Sequence, residues 1–64
     1  MEELIVKLKE TLKDIRIVEH DIQTCRDFND YEDMGFYQQQ RSDLYKELVE
    51  EVEELIKELD NENN

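Results

Sequence analysis

Glu19, His20 and Asp21 set two carboxylates beside the only histidine of this chain of 64 residues, side chains of the kinds that hold metals and move protons. Consecutive residues on a helix project about 100° apart, so these three cannot close around one ion. A Glu-x-x-His pair, which would share a helix face, is absent. Cys25 is the only cysteine and His20 the only histidine. One of each excludes an internal disulfide and a four-ligand Cys/His zinc site. There is no Gly-rich phosphate loop, no Ser-His-Asp spacing and no His pair. The expectation is therefore a protein that is not an enzyme, with no catalytic residue, no cofactor and no metal. His20 reads as solvent-exposed, and Cys25 as a small core side chain.

Two other groups of residues have the character of binding surfaces. The stretch FNDYEDMGFY, residues 28–37, holds four of the five aromatic residues and the only glycine. Phe28, Tyr31, Phe36 and Tyr37 spread too widely around a helix for all to point inward. Exposed aromatics on a rigid scaffold are what interface hot spots use. The second group is acidic. Asp43, Glu47, Glu50, Glu51, Glu54 and Glu58 follow one another at helical spacing along the second half of the chain. The ordinary reading is a solvated face. The sharper one is a nucleic-acid mimic, with carboxylates about 5.4 Å apart along the helix in place of phosphates.

The elements that must carry these groups are helices. The chain has no proline, one glycine and a high content of Glu, Leu, Lys and Ile. Leu4, Leu8, Leu12, Ile15, Val18, Ile22 and Cys25 step by three and four, as one helix face does. Met34, Tyr37, Leu44, Leu48, Val52, Leu55 and Leu59 form a second stripe, roughly 80° out of phase with the first at about 100° per residue. A continuous helix would break its apolar face there, and a hairpin resolves the break. The expected architecture is all-α: an antiparallel two-helix hairpin over residues 1–60, with helix 2–28, turn 29–31, helix 32–60 and a frayed tail at 61–64. Asn29 or Asp30 would cap the second helix, and Asn29 with Glu32 has capping-box spacing. The alternative turn uses Gly35 as the residue closing the first helix. DYEDMGFYQQQR also resembles the turn of the UvrB/UvrC-type helical hairpin, in which an aromatic–Glu pair opens the second helix. Tyr31, Glu32 and Gly35 match that pattern, while Met34, Gln38 and Gln39 depart from it. The resemblance covers 12 residues and implies a hairpin turn only.

The hairpin pairs residues whose numbers sum to about 63, so Leu12 is expected to face Val52. Glu19 and Arg41 then approach as an ion pair that sets register. Val6 and Ile17, with Tyr45, Val49 and Ile56, lie off the main stripes. At matching levels they form an expected self-association face, and two hairpins would make a four-helix bundle. So short a chain has a marginal core, and oligomerisation is the remedy its composition leaves open.

Charge narrows the partners. Nineteen acidic against eight basic residues leave a net charge of −11, which opposes direct nucleic-acid or anionic-membrane binding. No apolar run approaches the roughly 20 residues of a membrane span. The first residues, MEELIVKLKE, lack the basic-then-apolar order of a signal peptide, and a lone cysteine suits a reducing cytoplasm. The expectation is a cytoplasmic homodimer that binds and inhibits or modulates a larger protein. That profile is shared by phage and mobile-element inhibitors. The alternatives are a self-assembling adaptor or chaperone, and the nucleic-acid mimic.

Overall fold

The structure, a computed structural model, describes residues 1–63. Two helices, α1 (Glu2–Asp27) and α2 (Tyr31–Asn63), pack against each other as an antiparallel hairpin about 53 Å long. Among the described residues there is no strand. Both helices open with acids, Glu2 and Glu3 in α1 and Glu32 and Asp33 in α2, where the helix dipole favours them.

The turn is Phe28–Asp30, one residue earlier than expected, and its hydrogen bonds explain the shift. Asn29 adopts a left-handed conformation with φ 58°. Its N–H donates to the Arg26 carbonyl at 3.2 Å, and the Asp30 N–H donates to the Cys25 carbonyl at 2.8 Å. These crossed bonds are the Schellman ending of a helix, with Asn in the position glycine usually takes. Asp30 then caps α2: its side-chain oxygen accepts from the Asp33 N–H at 3.2 Å. The capping pair is thus Asp30 and Asp33, not Asn29 and Glu32. Gly35 lies inside α2, and a Cβ there would meet nothing within 4 Å; no close approach within the chain calls for a glycine. The tail expected to fray from 61 continues α2 through Asn63, and residue 64 lies outside the described residues.

Because a side chain on Cβ is penalised in the left-handed region, Asn29→Val should cost about 1–2 kcal/mol. Thermal denaturation checks this; an unchanged melting temperature would show that the turn tolerates another conformation.

The helices meet along a regular seam. In α1 it runs through Leu4, Leu8, Thr11, Ile15, Val18, Ile22 and Cys25; in α2 through Met34, Tyr37, Arg41, Leu44, Leu48, Glu51 and Leu55. Steps of three and four alternate without a break in both, an average of 3.5, which is the spacing of a coiled coil. Ile15, Val18, Ile22 and Cys25 are buried, whereas the apolar seam residues of α2 are only half-buried. The expected stripes are corrected at Leu12, Val52 and Leu59, all of which are exposed. Strict alternation puts Thr11 and Glu51 in the seam, and turns Leu12 and Val52 outward to 42% and 39% exposure.

Candidate functional site

At the tip, three of the four aromatics face solvent. Phe28 is 78% exposed, and Tyr31 and Phe36 are exposed as well. Phe28 follows the last residue of α1. Tyr31 opens α2, and its hydroxyl donates to the Asn29 side-chain oxygen at 3.1 Å. Only Tyr37 turns inward, half-buried in the seam. Phe36 packs edge-on against it, with ring centroids 5.6 Å apart and planes at 71°. One aromatic therefore caps the core, and three are left to solvent.

The tip is also strongly electronegative. Asp30, by hydrogen bond and then by charge, raises the pKa of Asp33. The Asp21 charge, followed by burial, raises that of Tyr37. Cys25 is held up first by burial and then by Asp30, Asp33 and Asp21, so it is a protonated core thiol. Carboxylates gathered around the turn contribute to all three shifts, though burial leads at Cys25, and Arg26 is the only base in the last turn of α1.

Along the body, two polar contacts cross the seam. The Thr11 hydroxyl donates to the Glu51 carboxylate, at 2.6 Å to one oxygen and 3.1 Å to the other. Glu51 is only 8% exposed. It therefore leaves the acidic face to which its spacing had assigned it. The Tyr45 hydroxyl donates to Glu19 at 2.9 Å. That bond, followed by the Glu19 charge and burial, raises the tyrosine pKa, while the charge of Arg41 opposes the rise. Glu19 thus gives its carboxylate to Tyr45 in place of the expected Arg41, and Arg41 sits half-buried in the seam. Register is marked by these two contacts, whose residue numbers sum to 62 and 64.

The Tyr45–Glu19 bond fixes one flank of the hairpin. Leu12 and Ile5 lie two and four turns along α1 from Glu19, on its side of the seam; Val52 and Leu59 are placed likewise from Tyr45. Val49 and Ile56 adjoin them at helical spacing. All seven, Ile5, Leu12, Tyr45, Val49, Val52, Ile56 and Leu59, are exposed. The opposite flank is an open groove lined by Lys7, Glu10, Asp14, Glu47, Glu50 and Glu54, with Thr11 and Glu51 at its floor. Asp43 continues the acidic row beside Asp14 and Ile17.

Of the residues expected to self-associate, Tyr45, Val49 and Ile56 share the apolar flank. Ile17 does not: it lines a hollow with Asp14, Val18, Gln40, Asp43 and Leu44. Val6 lies apart as well, beside Glu2, Glu3 and Lys7. Leu12, Val52 and Leu59, whose spacing suggests the core stripes, are surface residues, and Ile5 joins them.

Glu19 and His20 are exposed, Asp21 is half-buried, and the His20 carbonyl accepts from the Thr24 hydroxyl at 3.0 Å. Among the described residues no three His, Cys, Asp or Glu side chains come together as a metal site. No described helix is long and apolar enough to cross a membrane. No protein family, curated protein or solved structure matches this chain.

Proposed function

We propose that this chain is a small, non-enzymatic, cytoplasmic interaction protein, a homodimer that binds a larger protein and inhibits or modulates it through the hairpin tip. One observation carries the reading. Phe28, Tyr31 and Phe36 are exposed around a turn tied down by the Schellman bonds and the Asp30 cap. Large apolar side chains held rigidly in water lose little entropy on binding, and they dominate the energetics of interfaces. The carboxylates around them favour a partner with a basic rim.

The acidic groove supports a second reading, the nucleic-acid mimic. Five exposed acids, Glu10, Asp14, Glu47, Glu50 and Glu54, face a single base, Lys7. A helical adaptor that assembles further is the third.

Capture from the source cell separates these readings. Phe28→Ala with Phe36→Ala should weaken partner binding by about 2 kcal/mol or more, with helicity unchanged. Glu50→Lys with Glu54→Lys should alter mainly the salt dependence. If the acid reversals abolish capture and the aromatic truncations do not, the groove is the binding surface and the tip reading fails.

A further inference from the structure

We infer that the apolar flank of Leu12, Tyr45, Val49, Val52 and Ile56 is the surface on which a second copy of this chain docks. The inference rests on the proposed homodimer and assigns its interface, which is not the face of Val6 and Ile17.

Three observations point to a second copy as occupant. The first is area. Each of the seven half-exposed side chains still offers roughly 70 Å², so two copies would bury about 1,000 Å² together, the lower limit of a specific interface. The second is charge. Three bases and four acids border the flank at helical spacing: Lys9, Arg16 and Lys46 against Glu2, Glu19, Glu53 and Asp60. A flank that sums to only −1 on a chain of net −11 is where a like-charged copy can approach with least repulsion. A basic partner would be drawn to the opposite groove instead. The third is the state of α2, whose apolar seam residues are all left half-buried by α1 alone. A second layer of helices completes that core, as two-layer packing requires.

Docking on this flank leaves the tip and the acidic groove uncovered in both copies. The dimer is then bivalent, with two aromatic tips and two grooves for its partners.

The test is sedimentation equilibrium of the whole chain across nanomolar to micromolar concentration, with helicity followed by circular dichroism. Leu12→Glu with Val49→Glu is expected to weaken self-association by about 30-fold or more. Val6→Glu with Ile17→Glu should change it less than about 3-fold, since exposed positions outside an interface are near neutral. Should the first pair fail to fold, Leu12→Ser with Val49→Ser trims the same area and should weaken the dimer about 10-fold. A dimer broken by the Val6 and Ile17 changes, and not by the others, would overturn this interface while leaving the homodimer standing. A wild-type chain that is monomeric and helical throughout would overturn both.

Discussion

Thr11→Leu combined with Glu51→Leu should stabilise the hairpin by about 1–4 kcal/mol, the usual result of replacing a buried charged group with packed apolar ones. For a domain of this size each kcal/mol moves the melting temperature by roughly 4–8 °C. The physical case is one of unequal partners. Glu51 is buried between Leu48 and Leu55 of the α2 seam, and a single hydroxyl proton serves both of its oxygens. The singles should therefore not add. Thr11→Val strands the carboxylate without its donor and should cost about 1–3 kcal/mol. Glu51→Leu leaves a threonine hydroxyl that can turn back to the carbonyl four residues earlier, so it should cost less or stabilise. Thermal melts of the four proteins close the cycle. A double variant less stable than the parent would show that the pair contributes net stability, beyond marking register.

Ile22→Ala should cost about 2–4 kcal/mol, the largest loss expected from any single truncation here. Among the described residues Ile22 is the most buried apolar side chain at 3% exposure, and only Ile15, Val18 and Cys25 join it in the buried apolar core. A domain this small has on the order of 5 kcal/mol to lose. The variant should be largely unfolded near body temperature at concentrations where the chain is monomeric. Urea titration followed by circular dichroism measures the loss. Val6→Ala, at an exposed position, should stay within about 0.5 kcal/mol. Equal effects at the two positions would mean that the seam does not hold the hairpin together.

The hairpin, its antiparallel register and its tip were legible because apolar periodicity reports directly on buried faces. The phase break between the two stripes demanded a turn, and Asn29 and Asp30 are residues whose backbone chemistry makes one. The seam at Thr11 and Glu51 was not legible. A search for apolar residues passes over a threonine and a glutamate when Leu12 and Val52 stand next to them, and only strict 3–4 alternation favours the polar pair. That displacement hid the middle of the apolar flank, since it moved Leu12 and Val52 from surface to core. The Tyr45–Glu19 bond was equally hidden, because Arg41 is the obvious partner for a carboxylate in a reading by charge alone.

The three-residue turn has a kinetic consequence. In a hairpin closed so tightly, the sequence separation of paired residues grows steadily with distance from the tip, reaching 40 by the Thr11–Glu51 pair. Loop-closure entropy rises with that separation, so contacts beside the turn form at least cost and those at the open end form last. Folding then runs as a zipper from Asn29 outward. Changes at the turn fall on the folding rate, and changes at Leu4 or Leu55 on the unfolding rate. The aromatic tip is carried by the segment expected to order first and open last, so it should keep its shape when contacts at the open end give way.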